Sequence, residues 1–313
     1  MNYRIFSPEM QNPIHDKVQR IVQTALNSVN PRQLILGNLH QNDQCLSIAG
    51  ALDIDLSCFK RIFVTGAGKA VVGMAEGLCE VLGDRISGGR IITKHLPVGV
   101  RDVGEIEILV GNHPVPGPQS VDSAQANADF AKQVTREDLV FCLITGGVSA
   151  LMTLPVDEIS LAEMQTTTDL LLSCGATINE MNILRKHLEV LKGGGLARLL
   201  YPARVITLIL SDVIGNPPDI IASGPTTADP STFADAWDVL ERHAITQKIP
   251  SSVRQYLLEG MQAKKPETVK PGSQWLDRAV TLILGDNYYA CQTALHEAER
   301  AGYRTRLLTN SLQ

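Results

Sequence analysis

Short apolar runs rich in β-branched residues alternate along this chain with stretches of helical periodicity, and this alternation limits the fold more than any other feature. The runs lie at residues 62–65, 106–110, 139–145, 205–210 and 280–284. Helical patterns lie at residues 13–51, 70–82, 119–134, 160–174 and 180–200. Strands separated by helices form βαβ units, so we predict an α/β fold with a mostly parallel sheet and helices on both faces. Ligands of such folds bind at the carboxyl ends of the strands.

The C-terminal region predicts the beginning of a second domain. Residues 263–273 hold two prolines and one glycine among polar residues, which is typical of a linker or a long surface loop. A strand at 280–284, a helix at about 288–301 and a strand at 304–308 are predicted after it. We therefore predict one domain over 1–275 and the start of an incomplete second α/β domain over 276–313. A βαβ unit of this length cannot bury its own apolar face. It therefore either docks on the first domain or is completed by further residues that are missing here.

Charge and hydropathy exclude several classes of protein. Lys and Arg number 28 against 33 Asp and Glu, a net charge of −5, whereas bulk nucleic-acid binding usually needs a basic surface. No apolar run approaches the roughly 18 residues of a membrane span, and the first residues do not form a signal peptide. Six scattered cysteines without C-x-x-C spacing predict small buried side chains in a reducing compartment. We expect a cytoplasmic protein that binds neither nucleic acid nor membrane.

A glycine-rich turn with a lysine follows the first apolar run. Gly66 and Gly68 allow close approach of a ligand to the backbone, and Lys69 adds a positive charge where a helix begins. The turn is no complete P-loop, because Ala70 replaces the hydroxyl residue, and no complete dinucleotide motif, because Val71 replaces the third glycine. We predict an anion site here. The alternative is a plain tight turn with a surface lysine.

Two further strand ends carry polar or glycine-rich segments. Gly146, Gly147 and Ser149 follow the most apolar strand and resemble a cradle for phosphate or carboxylate, although Ser149 could be only a helix N-cap. Leu151 stands where a nucleophile elbow would need glycine. His113 follows another strand; a lone histidine is usually structural, and we interpret it so, with catalysis as the alternative.

Cationic residues and one carboxylate complete the set of candidates. Arg185 and Lys192 are seven residues apart, so on one helix they would share a face, with Lys186 beside them as part of a carboxylate or phosphate clamp. The alternative is a solvated charged face. Asp212 follows the strand at 205–210 and could hold Mg²⁺ through water or accept a hydroxyl proton, the alternative being an Asx-turn.

Taken together, these segments resemble the glycerate 2-kinase family, whose members carry a MOFRL-type C-terminal domain. The resemblance covers nearly the whole chain. It runs through Gly-Ala-Gly-Lys-Ala at 66–70, Gly-Asn-His-Pro-Val-Pro at 111–116, Gly-Gly-Val-Ser-Ala-Leu at 146–151, Arg-Lys-His-Leu at 185–188, Lys-Gly-Gly at 192–194, and the segments 211–213 and 221–226.

This resemblance implies a two-domain enzyme with a Rossmann-like N-terminal domain that uses ATP and Mg²⁺ to phosphorylate the 2-hydroxyl of D-glycerate. The lysine that matches Lys69 is catalytic in that family. The chemistry of Asp212 suits catalysis or a water-mediated metal site, and that of the glycines, Ser149 and the cations suits substrate or phosphate binding.

Family members are typically longer, so the resemblance also implies a chain truncated at its C-terminal end, whose own activity stays open. Three rival functions remain: an oxidoreductase of the hydroxypyruvate reductase type, a metabolite-binding domain without catalysis, and a sugar-phosphate isomerase. The sequence does not determine the oligomeric state, and a homo-oligomer is one of the alternatives.

Overall fold

The computed structural model describes residues 12–96 and 98–311, which form ten strands and eleven α-helices. The strands are β1 (Leu39–Asn42), β2 (Cys45–Ile48), β3 (Leu52–Asp55), β4 (Arg61–Ala67), β5 (Ile86–Thr93), β6 (Asp102–Val103), β7 (Ile106–Val110), β8 (Asp138–Ile144), β9 (Arg204–Leu210) and β10 (Ala279–Gly285). The helices are α1 (Pro13–Ser28), α2 (Pro31–Asn38), α3 (Val71–Leu82), α4 (Pro118–Ala131), α5 (Val148–Leu151), α6 (Leu161–Ser173), α7 (Ile178–Leu188), α8 (Gly195–Leu200), α9 (Phe233–Arg242), α10 (Ser251–Met261) and α11 (Asn287–Arg300).

Seven strands form one sheet in the order β10-β9-β8-β4-β5-β7-β6, and the short strand β6 alone runs antiparallel to its neighbour. The chain enters in the middle with β4, proceeds outward through β5 and β7, and returns to the other side of β4 with β8. This reversal leaves a crevice at the carboxyl ends of β4 and β8, where ligands of doubly wound folds bind. The predicted α/β fold with a mostly parallel sheet is confirmed.

Apolar residues cover both faces of the sheet. Val64, Phe141 and Leu208 face a cluster built with α2, α3 and the small β1-β2-β3 meander. The alternate residues Val140 and Cys142 face a second cluster, built with α4, α5 and α8. All seven residues of β8 are buried, as expected for a central parallel strand covered on both faces.

Four helices, α6, α7, α9 and α10, pack around an apolar cluster of their own, and we call them the helical layer. The cluster includes Met164, Leu184, Phe233, Val239 and Leu257. The layer lies against the carboxyl edge of the sheet. Arg185 of α7 and Glu189, the C-cap of that helix, line the same cavity as the loop after β8. It therefore forms one wall of the crevice.

The predicted single helix over 180–200 is wrong. Helix α7 ends at Leu188, and Glu189 is extended and bridges to Pro155. Gly193 and Gly194 then adopt φ values of +54° and +80°, a left-handed conformation that glycine adopts without steric cost. Arg185 and Lys192 therefore do not share one helical face.

Three further predictions of local structure need correction. The helical prediction over 13–51 is wrong beyond α2, because residues 39–55 form the antiparallel strands β1 to β3. No strand was predicted at β5, whose first half holds polar residues and two glycines. The strand predicted at 304–308 is absent, since those residues adopt no regular structure.

The C-terminal part docks on the rest of the described chain. Strand β10 pairs in parallel with β9, and α11 packs against α1, where Nε of Arg20 lies 2.6 Å from Oε1 of Glu297. Docking was one of the two alternatives for this short unit. The division into domains at residue 275 stays a prediction.

The structure also bears on the expectations about membrane spans and about the cysteines. None of the helices in the described residues is long and apolar enough to cross a membrane. All six cysteines are free, but the prediction that they are buried is wrong for Cys45 and Cys58, which are exposed. Cys142 is fully buried in the sheet, and burial raises its pKa to about 12.

Candidate active site

The glycine loops that follow β4 and β8 are hydrogen-bonded to each other in the crevice. The backbone N–H of Lys69 donates to the carbonyl oxygen of Gly146 at 2.9 Å, and the N–H of Ala70 donates to Oγ1 of Thr145 at 3.1 Å. Two segments far apart in sequence thus form one rigid floor.

Close packing explains the glycines in these loops. Gly66 has φ +129° and Gly68 has φ +142°, values that other residues rarely adopt. A Cβ atom on Gly66 would collide with the backbone of Leu143, and one on Gly68 with the side chain of Thr145. Close contact of the end of β4 and its loop with the end of β8 and its loop already requires glycine at both positions, so the predicted contact of Gly66 and Gly68 with an anion stays a prediction.

Lys69 and Asp212 converge on the loop after β8 from opposite sides. Cγ of Lys69 lies 3.4 Å from the position that a Cβ atom of Gly147 would take. The carboxylate of Asp212, which follows β9, covers the corresponding position on Gly146. Both side chains are exposed, and neither Nζ of Lys69 nor the Asp212 carboxylate has a protein partner among the described residues. A cation and an anion are therefore both available to a ligand above the two glycines.

His113 also lies at this loop, although the sequence favoured a structural role for it. Its Nε2 lies 3.2 Å from the Cβ position of Gly147, and its Nδ1 is buried without a hydrogen-bond partner. Burial, assisted by the charges of Lys69 and Lys94, lowers the pKa of His113. The imidazole is therefore neutral near neutral pH. Its position just after β7 was the available signal, because every other strand-end candidate lies at the same edge.

A cavity of about 140 Å³ opens between this loop and the helical layer. The side chains that matter for its chemistry are His113, Ser149, Thr168, Arg185 and Glu189, with Gly147 at the floor. Arg185 is half-buried, and burial lowers its pKa. No carboxylate of the described residues lies within ion-pair distance of its guanidinium. Arg185, one residue of the predicted carboxylate or phosphate clamp, thus lines this cavity without an ion-pair partner among the described residues.

Lys192 and Lys186 are both buried in ion pairs, so a solvated charged face is wrong for them. Nζ of Lys192 donates to Oε2 of Glu189 and to the carbonyl oxygen of Ser149 at 3.1 Å. Nζ of Lys186 lies 3.3 Å from Oδ2 of Asp219 and 3.2 Å from Oδ1 of Asp229. Their predicted contacts with substrate or phosphate stay predictions, and the structure gives both lysines internal partners instead.

The Glu189–Lys192 pair carries opposed electrostatic effects. Burial raises the pKa of Glu189 and lowers that of Lys192, whereas the attraction between the two groups acts in the opposite direction for each. Both side chains are about 1% exposed. A buried pair with good hydrogen bonds keeps its charges only as long as both partners remain.

Ser149 lies within the first turn of α5, and the N-cap of that helix is Gly147, so the N-cap alternative for Ser149 is wrong. Its Oγ lies 3.4 Å from Oγ of Ser223, which in turn donates to Oδ1 of Asn182 at 3.2 Å. The hydroxyl is half-buried and also lines the cavity. Its predicted role in ligand binding stays a prediction.

The described residues contain no group of three or more His, Cys, Asp or Glu side chains that could hold a metal ion. This arrangement still fits Mg²⁺, which proteins often bind through one or two carboxylates while phosphates and water complete the shell. Asp212 is such an exposed carboxylate next to the glycine floor. It would share the ion with a bound phosphate.

Comparison with known proteins agrees with this architecture. The model of a family described as a domain of unknown function, DUF4147, matches residues 17–258. The chain belongs to the DUF4147 family. The matched range contains both glycine loops, His113, the helical layer and Asp212.

Relatives of this DUF4147 chain include named enzymes. Glycerate 2-kinase from Pyrococcus horikoshii is 33% identical over 294 residues, which are 94% of this chain and 64% of that protein. A crystal structure of a protein from Pyrococcus horikoshii OT3 matches with a TM-score of 0.83 at 32% identity, over 94% of this chain and 65% of the other. The structure of glycerate kinase from Thermotoga maritima matches with a TM-score of 0.77 at 32% identity, over 96% and 66%. The chain thus spans just under two thirds of these relatives' length.

Proposed function

We propose that this chain is the part of a glycerate 2-kinase that holds the reacting groups, and that it transfers a phosphoryl group from ATP to the 2-hydroxyl of D-glycerate. The names of the relatives support this proposal. The proposed product is 2-phosphoglycerate, and the proposed setting is the cytoplasm, with ATP and Mg²⁺ as cosubstrate and cofactor.

The observation that carries the proposal is the convergence of Lys69 and Asp212 on the floor formed by Gly146 and Gly147. Phosphoryl transfer needs little covalent chemistry from the protein and depends on positioning and on stabilisation of negative charge. Two glycines allow a phosphate to approach the backbone closely. Lys69 would stabilise the charge on the transferred group, as the glycerate 2-kinase resemblance implies.

Asp212 is the proposed ligand of Mg²⁺, through water, on the other side of the floor. When bound, the ion would neutralise charge between the phosphates. The chain itself supplies a fixed carboxylate, placed by the end of β9 and by the close contact with Gly146.

The oxidoreductase alternative has less support from the structure. Dinucleotide folds use a third glycine so that the first helix packs closely on the sheet. Val71 occupies that position, at the start of α3, and its side chain is fully buried in the core. A binding domain without catalysis would keep the same cavity and differ only in turnover.

The test is a coupled assay of this chain with ATP, Mg²⁺ and D-glycerate, with identification of the phosphoglycerate isomer. We expect 2-phosphoglycerate, and a loss of about 100-fold to 1,000-fold in kcat for Lys69→Ala, the scale of losing one charge-stabilising donor. The matched control is Lys60→Ala, which removes an exposed lysine at the opposite end of β4. Its turnover should equal that of the unchanged chain.

Three outcomes would contradict this proposal in different ways. Formation of 3-phosphoglycerate would contradict the site of phosphorylation. Full activity of Lys69→Ala would contradict the role of the lysine. Reduction of hydroxypyruvate with a nicotinamide cofactor, without any kinase activity, would favour the oxidoreductase.

A further inference from the structure

The cation in the wall of the 140 Å³ cavity has no ion-pair partner among the described residues. The wall holds the half-buried Arg185 and the buried Glu189, and Glu189 already pairs with Lys192, which lies outside the wall. Lys192 donates to Oε2 of Glu189, and no carboxylate of the described residues lies within ion-pair distance of the Arg185 guanidinium, although the charge of Glu189 acts on it from farther away. An unpaired charge out of water is costly, so an anion entering the cavity would relieve it.

Two residues that line this cavity each have a hydrogen-bonding atom without a partner. Oε1 of Glu189 and Nδ1 of His113 are both buried, and neither has a hydrogen bond within the described residues. Glu189 is 5% exposed, so water does not satisfy it from the surface. Unsatisfied buried polar atoms are rare in proteins and call for an explanation. The residues that line the cavity thus include an unpaired cation, Arg185, and a carboxylate, Glu189, with one unpaired oxygen.

His113 supplies a donor on the opposite side. Buried N–H groups without partners are rarer than buried acceptors without partners, so the proton of the neutral ring belongs on Nε2. That atom lies beside Gly147 and Lys69, whereas Nδ1 faces the protein interior. His113 therefore presents an N–H donor to the floor of the cleft and does not need to act as a base.

Size limits the ligand further. A volume of about 140 Å³ is close to the roughly 150 Å³ of an engineered cavity that accepts benzene. A three-carbon acid fits a space of this size, and a nucleotide does not.

We propose that this cavity is the acid subsite, which adjoins the phosphate floor at Gly147, and that it binds a small hydroxy carboxylate. Arg185 pairs with the carboxylate, Oε1 of Glu189 accepts a hydrogen bond from the terminal hydroxyl, and Nε2–H of His113 donates to an oxygen of the acid on the Lys69 side. The proposal rests on the proposed function only for the choice of D-glycerate as that acid.

The first experiment measures binding of D-glycerate and, separately, of ATP with Mg²⁺ by calorimetry to the unchanged chain and to two variants. Arg185→Gln should weaken binding of D-glycerate by about 10-fold to 100-fold, the scale of a lost charged hydrogen bond, and should leave ATP binding within about twofold. The control is Arg198→Gln. Arg198 is also half-buried without an ion-pair partner among the described residues, but it lines a different cavity.

The second experiment changes the ligand and needs no variant. D-lactate lacks the terminal hydroxyl and would leave Oε1 of Glu189 unpaired, so it should bind at least about tenfold more weakly than D-glycerate. Glycerol lacks the carboxylate and should not bind measurably. Equal binding of D-glycerate and D-lactate would contradict the role given to Glu189.

The third experiment separates a donor from a base at His113. Glutamine can place an N–H near the position of the imidazole Nε2, so His113→Gln should keep more than a tenth of kcat/KM, while His113→Phe loses most of it. A base would be lost equally in both variants, and that result would overturn the donor assignment.

Failure of this inference is distinguishable from failure of the proposed function. If D-glycerate does not bind but glycolate, a smaller hydroxy acid, binds and does so only with Arg185 present, the acid subsite stands and the proposed substrate falls. If Arg185→Gln weakens ATP and not the acid, the cavity belongs to the nucleotide and the inference is overturned. If the unchanged chain binds none of these carboxylates, the inference is overturned as well.

Discussion

The carboxyl edge of the sheet and the helical layer both bring charged residues to one cleft, but they hold these residues differently. At the sheet edge, Lys69 and Asp212 are exposed and have no protein partners in the described chain, and backbone geometry alone places them. In the helical layer and the loop after it, Lys186, Glu189 and Lys192 are buried and paired. Charge at the edge is therefore available for ligands, whereas most charge in the layer stabilises the protein.

This contrast predicts that substitutions in the two regions affect different measurements. Edge side chains should change turnover and leave the free energy of unfolding nearly constant. Buried partners in the layer should change the free energy of unfolding first.

The largest expected effect is that of Lys192→Met, which leaves Glu189 buried without its counterion. We expect a loss of about 3–5 kcal/mol in the free energy of unfolding, measured with urea. The matched control is Lys60→Met, which breaks the exposed pair with Glu137 and should cost at most about 1 kcal/mol. The double variant Lys192→Met/Glu189→Leu should recover much of the loss. If Lys192→Met and Lys60→Met lower the free energy of unfolding by the same amount, the distinction between the two regions is wrong.

Asp212→Asn tests the edge in the same way. We expect kcat to fall about 100-fold and the Mg²⁺ requirement to rise, because the proposed carboxylate ligand is lost. The free energy of unfolding should stay within about 0.5 kcal/mol, as for other exposed positions. Asp277→Asn, an exposed carboxylate just before β10 at the other end of the sheet, is the control for charge. A destabilised Asp212→Asn with normal kcat would contradict the contrast.

Gly68→Ala sharpens the comparison, because at the edge the backbone, unlike the side chains, is needed for stability. The new Cβ atom would collide with Thr145 and force the strand-end loops apart. We expect a loss of about 2–3 kcal/mol in addition to lost turnover. Gly88→Ala, at φ +146° with no atom closer than 3.7 Å to the new Cβ atom, measures the cost of the backbone angle alone. If both variants cost the same, the contact between the loops contributes no stability.

The smallest expected effect concerns Glu180 in the first turn of α7. The backbone N–H of Thr177, followed by its hydroxyl, His243 and Arg242, lowers the pKa of Glu180 from 4.5 to about 2. The carboxylate therefore stabilises the fold above pH 4.5, and this stabilisation is lost as the pH falls towards 2. Glu180→Gln should cost about 1 kcal/mol at pH 7 and flatten the decline between these pH values, measured by urea unfolding. Parallel declines in both proteins would contradict this origin.

Much of the sheet was predictable because its parallel strands are continuous apolar runs, which arise when both faces are covered. The structure confirms strands at all five predicted runs. Strand β5 was not predicted because Ser87, Gly88, Gly89 and Arg90 interrupt its apolar pattern, and it forms only because β4 and β7 supply hydrogen bonds on both sides. Whether such a strand forms depends on neighbouring strands that are far away in sequence.

The residues of the candidate site also divide into those that the sequence could locate and those whose surroundings depend on tertiary packing. The rule that ligands bind at strand ends brought together Lys69, Asp212, Gly68, Gly146 and Gly147, which follow strands, and Gly66, which lies near the end of β4. Lys186 and Lys192 were predicted as part of a carboxylate or phosphate clamp, with a solvated charged face as the alternative. The sequence could not show their partners Asp219, Asp229 and Glu189, because tertiary packing brings these residues together. The sequence pattern around position 113 likewise contained nothing that shows one ring nitrogen buried and the other open.

The hydrogen bonds between the two glycine loops have a consequence for local opening. The amide protons of Lys69 and Ala70 bond to Gly146 and Thr145, which lie at the end of the fully buried central strand β8. Neither amide can exchange with solvent unless the adjoining loop separates as well. Surface loops usually exchange quickly, but these two amides should exchange as slowly as the middle of the sheet. The proposed phosphate floor is then as persistent as the fold itself, and it exists before any ligand arrives.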